Sequence, residues 1–221
     1  IIFSWIVSPL MGGIIAALFL LLIKNTIVNQ EDKRLAAKTM VPILLAIMTW
    51  SCSTYIILKG IRQLIKVDFI TASAIGLLLA LGIFFFTKSS ITRMADSLPN
   101  SREGINKLFN IPLIFSAALL SFAHGANDVA NAIGPLAGIY DALTTGGISS
   151  KAGIPLWVML VGAFGIVVGL ALYGPKLIKT VGSEITELDQ IRAFCVAMSA
   201  ALTVIVASQL GLPVSSTHIA V

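Results

Sequence analysis

FAHGANDVANAIGPLAG, residues 122–138, sets one acid, two amides and an imidazole into a chain that otherwise reads as lipid-soluble helix. Of the ten carboxylates, Asp128 alone lies within an apolar stretch; the others sit in loops or near segment ends. An ionisable side chain at membrane depth costs roughly 2.5–3.5 kcal/mol on insertion scales. Such a residue marks a functional site. The plainer reading, a polar group that ties helices together by hydrogen bonds, draws on the same residues.

Working outward, the composition identifies the solvent. Of 221 residues 57% are hydrophobic and only 11% are charged, and the mean hydropathy is +0.97. A water-soluble domain carries about 25% charged residues. This chain has too little polar surface for water and reads as an integral membrane protein. Its net charge of +5 is no nucleic-acid signal, because the basic residues are scattered through short loops between apolar spans. Cys52 and Cys195 each fall inside an apolar segment, without disulfide or metal spacing, and read as small hydrophobes. The chain opens on Ile1 inside an apolar span and ends three residues after a polar motif. Both ends are expected to be cuts through a longer protein.

A helix needs about 20 apolar residues to cross a bilayer. Residues 1–23, 39–58 and 69–87 supply three such spans, each flanked by lysine. Residues 88–110 are polar, with Pro99-Asn100-Ser101 as a turn signal, and are expected to be a loop linking structural units. The next span is irregular. Twelve apolar residues, 111–122, precede the polar cluster, and a second short run, 129–140, is interrupted by Gly134-Pro135. Proline removes a backbone donor and clashes with the preceding turn, so two half-helices meeting at a polar break are expected. Residues 154–178 and 191–210 are two clearer spans, and the latter runs into GLPVSSTH, residues 211–218, a second expected break. Loops 24–38, 88–107 and 176–192 hold eleven of the fifteen Lys and Arg residues, which places them in the cytoplasm by the positive-inside rule. The three Trp and three Tyr residues are expected to be anchors at the membrane interface.

On a helix His124, Asn127 and Asn131 share one face, with Asp128 at its flank, among small residues that let a ligand or backbone approach. Asp128 with Asn carbonyl oxygens suits a hard cation such as sodium, whereas Asn amide hydrogens suit an oxyanion. Ser215, Ser216 and Thr217 are three successive hydroxyls after Pro213, followed by His218. A helix starting there would offer backbone amides and hydroxyl donors to a tetrahedral oxyanion. A plain helix cap is the alternative. Neither motif contains Arg or Lys, so an anion there would rely on hydroxyls, helix ends and a bound cation.

GANDVANAIGP together with GLPVSSTH resembles the paired signatures of the inorganic phosphate transporter (PiT) family, permeases that couple phosphate uptake to sodium or protons. SWIVSPLMGG, residues 4–13, resembles the segment joining the two halves of that family. The resemblance covers essentially the whole chain, in family order. It implies an all-α integral membrane fold, a multi-span helical bundle with two discontinuous helices, like one half of an inverted-repeat transporter. Residues 1–87 would be three inter-repeat spans, 88–110 a polar linker, and 111–221 the second-repeat unit, truncated at its C-terminal end. The family carries two copies of each signature, and this chain has one of each. The resemblance therefore implies a partial transporter, unable to transport alone, whose site is completed by a first repeat. Phosphate would be bound by Asn127, Ser215, Ser216 and Thr217, the coupling sodium or proton by Asp128 and Asn131, with His124 and His218 lining the site. No cofactor, no nucleic acid and no metal beyond sodium is implied; a bacterial inner membrane and a homo-oligomer are.

Three rival readings use the same residues. A transporter or channel for another ion would keep the broken helices, and a purely structural membrane subunit would tolerate Asp128→Asn. An intramembrane protease would need Ser215 or Ser216 beside a histidine base held by a third group. No HExxH and no second intramembrane aspartate accompany them, and the chain is not expected to be an enzyme.

Overall fold

The computed structural model describes residues 2–58, 67–146, 154–180, 182, 188–209 and 215–220, and these are helical apart from short connections. Among the described residues eight α-helices follow one another: α1 (Ile2–Ile23), α2 (Lys33–Ile56), α3 (Phe69–Ser97), α4 (Arg102–Leu108), α5 (Asn110–Thr145), α6 (Leu156–Lys179), α7 (Gln190–Gln209) and α8 (Ser216–Ala220). α1 continues into a wider π-helical turn, Lys24–Val28. Six segments, one on each helix except the short α4 and α8, are long and apolar enough to cross a membrane. The all-helical, multi-span architecture that the resemblance implies is therefore present among the described residues. The chain divides into two compact units, Ile1–Leu120 with Asp189–Val221, and Ser121–Leu188.

Carboxylates at segment ends explain where several helices begin. Asp32 accepts a hydrogen bond from the Leu35 N–H at 3.1 Å, and Asp68 from the Ile70 N–H at 3.2 Å and the Thr71 hydroxyl at 2.6 Å. Asp189 accepts from the Arg192 N–H at 2.8 Å, and Ser101 caps α4 through the Gly104 N–H at 3.2 Å. Each satisfies an amide that the first helical turn leaves unbonded. The Thr71 hydroxyl holds the Asp68 carboxyl below the usual carboxylate range.

The core of the first unit is built from α1, α2, α3, α4 and α7, with Ile23, Ile27, Leu45, Met48, Ile91, Ile105, Phe109 and Phe194 at its centre. Phe109 meets Phe194 edge to face, ring centres 5.6 Å apart. α2 and α3 form a close antiparallel pair, joined where the Trp50 indole N–H reaches the Ser73 carbonyl and hydroxyl at 3.1 Å. Gly76 makes this approach possible: a Cβ there would stand 2.6 Å from Thr54 Oγ1 and 3.1 Å from the Trp50 carbonyl oxygen. In the second unit α5 and α6 meet where Gly162 lies under Ile133 and Val129, and where Tyr140 packs edge to face on Trp157 at 5.7 Å. Most of α6 is exposed apolar surface, from Leu156 to Ile178, as suits a helix whose solvent is lipid. Of the expected interface residues Tyr55 is buried within the protein, whereas Trp50, Trp157, Tyr140 and Tyr173 are exposed; the side chain of Trp5 lies outside the description.

Two expectations need correction. Residues 88–110 are not a loop: 88–97 continue α3, where Ile91 and Ala95 face the core, and 102–108 form α4 with Ile105 and Leu108 buried. The first expected break is also absent. α5 runs unbroken through residues 110–145 with Pro135 inside it. A single proline withdraws one backbone bond, which a membrane helix tolerates when neighbouring groups compensate. At the second expected break α7 and α8 are separate helices, while Gly211 and Pro213 fall in residues 210–214, outside the described residues.

Candidate functional site

The helical spacing of residues 122–138 places His124 one turn before Asp128. Asp128 Oδ2 lies 3.0 Å from His124 Nδ1, and its Oδ1 accepts a hydrogen bond from the Asn127 amide at 2.9 Å. The carboxylate is thus gripped on both oxygens by its own helix, in the middle of α5. His124, Asn127 and Asp128 are half-buried and Asn131 is exposed one turn further on. An ionised carboxylate is an acceptor only, so this cluster can present negative oxygen to a cation. The Asn127 and Asn131 amides add acceptors for the same cation or donors for an anion.

The second motif lies in the other unit. Ser215 precedes α8, its hydroxyl accepting from the His218 backbone N–H at 3.4 Å and its carbonyl from the Ile219 N–H at 3.2 Å. The Ser215–His218 contact is therefore a helix cap made to the main chain. A nucleophile and its base would need the imidazole at the hydroxyl. Ser216 is buried, at 4% exposure, while Thr217 and His218 are exposed. His124, Asn127, Asp128 and Asn131 belong to the unit Ser121–Leu188, and Ser215, Ser216, Thr217 and His218 to the first unit.

α8 rests on α1 and α7. The Ser199 hydroxyl of α7 donates to the Gly12 carbonyl of α1, and the Ser199 carbonyl accepts from the Thr203 hydroxyl at 2.8 Å. Ser199 and Thr203 are buried hydroxyls one turn apart in an apolar run. Sequence reasoning passed over them, although two hydroxyls at that spacing on a membrane span are a signal of interhelical bonding. Sequence reasoning also passed over the link between α4 and α7, where the Arg102 guanidinium reaches the Asp189 carboxylate at 3.0 Å. Partial burial pushes the Asp189 carboxyl up, but hydrogen bonds from the Arg192 N–H and Arg102, with both positive charges, outweigh it and hold the group below the usual carboxylate range. No group of three His, Cys, Asp or Glu side chains that could hold a metal ion occurs among the described residues.

These features define a multi-span membrane protein with a carboxylate held at the middle of one span. Comparison with known proteins carries the identification further. The model of the phosphate transporter family matches residues 1–221. The chain is 58% identical over 224 residues to a "Putative phosphate permease" of Helicobacter pylori, spanning 100% of this chain and 42% of that protein. It is 34% identical over 218 residues to a protein of the same description from Pyrococcus abyssi, spanning 99% and 53%. A solved structure described as "The sodium-dependent phosphate transporter" superposes with a TM-score of 0.88 at 30% identity, over 99% of this chain and 54% of that one. The chain belongs to the phosphate transporter family, and it spans about half the length of the relatives it matches.

Proposed function

We propose that the intact protein carries inorganic phosphate across a membrane in symport with sodium, and that this chain supplies part of the site. The observation that carries this reading is the Asp128 carboxylate, fixed by His124 and Asn127 inside a membrane-spanning helix. A hard cation with oxygen preference fits it. The similarity to a sodium-dependent phosphate transporter favours sodium over a proton as the coupling ion. In this reading Asp128 and Asn131 hold the cation, while Asn127, Ser215, Ser216 and Thr217 donate to phosphate and His124 and His218 line the site. The remaining ligands come from a first repeat, since the chain spans about half of its relatives. The protein sits in the inner membrane of a bacterium, as a homo-oligomer, and needs no cofactor. Residues 111–221 act as the second-repeat unit that carries both motifs.

The test is uptake of labelled phosphate by the intact protein in liposomes, with sodium and proton gradients imposed separately. Uptake driven by sodium, competed by arsenate but not chloride, and abolished by Asp128→Asn is the expected result. Uptake that ignores sodium, or that survives Asp128→Asn, overturns the reading.

A further inference from the structure

Gly12, within the SWIVSPLMGG segment, occupies a junction of α1, α7 and α8. Its carbonyl is pinned from one side by the Ser199 hydroxyl of α7. Its Cα lies directly under Ile219 of α8: a Cβ at position 12 would stand 2.7 Å from Ile219 Cγ2 and 3.1 Å from the Ile219 carbonyl oxygen. Cγ2 is the branch methyl on Cβ, held by the one χ1 rotamer that a helix strongly favours for Ile. The 2.7 Å contact is therefore not relieved by a simple swing of the side chain, and the oxygen at 3.1 Å moves only with its helix. Gly13, the next residue on α1, would place its Cβ within 4 Å of nothing. The constraint therefore belongs to position 12 and is no general need for small residues along α1. On α8, Ile219 lies three residues after Ser216; both are buried, while Thr217 and His218 between them are exposed. Residues three apart share a helix face, so any shift of Ile219 carries Ser216 with it.

We propose that Gly12 is a positioning residue: its bare Cα sets the depth at which α8 seats, and through Ile219 fixes where Ser216 stands. The inference rests on the reading that Ser216 contacts phosphate. Close approach at a glycine is how helices associate in lipid, where no hydrophobic effect drives them together. Here the approach sets the place of a ligand group as well as adding contact.

The experiment is the phosphate dependence of uptake by the intact protein in liposomes, with the sodium dependence measured in parallel. Gly12→Ala raises the phosphate KM about three- to tenfold, because small displacements of ligand groups are costly, and leaves the sodium dependence in place. Adding Ile219→Ala, which makes room for the new methyl, returns the KM towards the wild-type value. Gly13→Ala keeps the wild-type KM. Where Gly12→Ala does not fold, Ile219→Ala alone gives the readout: it loosens the seat, and a raised KM supports the inference. A wild-type KM in Gly12→Ala or, failing that variant, in Ile219→Ala overturns the inference. So does a fall in kcat at constant KM, or a raised KM that Ile219→Ala does not relieve. A Ser216→Ala variant with unchanged KM overturns the proposed phosphate contact and this inference with it. A Ser216→Ala effect without a Gly12→Ala effect overturns this inference alone.

Discussion

His124 Nδ1 lies 3.0 Å from Asp128 Oδ2, one turn along α5, and the Asn127 amide takes the other carboxylate oxygen at 2.9 Å. The two neighbours orient the carboxylate without carrying a fixed positive charge of the Lys or Arg kind. Asn127→Ala should therefore weaken sodium activation of uptake by about tenfold, the scale seen when an orienting partner of a cation ligand is removed. Measured sodium activation curves on the intact protein check this, and an unchanged half-saturating sodium concentration would contradict it.

Neither signature motif contains Lys or Arg, so in the proposed function the cation that travels with phosphate would balance its charge. Phosphate affinity should rise with sodium, and sodium affinity should rise with phosphate by the same factor. Titrations of each ligand at several fixed levels of the other test the reciprocity; a constant phosphate affinity refutes it.

The tie between α4 and α7 sets an acid limit. Asp189 is depressed in the folded protein, so its contribution is present above the unfolded value near 3.9 and fades as pH falls through the lower, folded value. Asp189→Asn keeps a capping oxygen for the Arg192 N–H but loses the charge. The variant should lose less stability than the wild type when thermal unfolding in detergent is followed from about pH 5 down to about pH 2.

Gly76→Ala should open the α2–α3 pair, because the methyl meets Thr54 Oγ1 and the Trp50 carbonyl. The expected cost is about 1–3 kcal/mol, typical of overpacking, read from thermal unfolding of the purified protein. Thr54→Ala in the same chain should recover part of it, since one of the two opposing groups is then gone. Equal stability of Gly76→Ala and wild type would remove the close approach from the account.

Much of this architecture was legible in the sequence because lipid imposes a simple rule: long apolar runs make helices. The same rule misplaced the end of α3. Lys88 marks where apolar composition stops, but the helix goes on to Ser97 because Ile91 and Ala95 still have a core to face. Gly134-Pro135 read as a break, and the helix carries the proline instead. Of the candidate site, the grouping of His124, Asn127 and Asp128 follows from helical spacing alone. The Ser199–Gly12–Ile219 junction does not, since it joins Gly12 to residues 187 and 207 positions further along the chain. A bare glycine in an apolar run carries no mark of which helix will rest on it.

The length of α5 has a consequence for where its polar residues can be. Its 36 residues exceed the roughly 20 that a bilayer core accommodates, so the helix could slide by several turns relative to the lipid. Any twenty-residue stretch chosen between Asn110 and Thr145 nonetheless contains residues 126–129. Asn127 and Asp128 therefore fall inside the apolar stretch in every such register, but at the two extremes Asp128 stands only one or two residues from its edge. The register in which the helix sits thus decides whether the carboxylate lies deep in hydrocarbon or within reach of water.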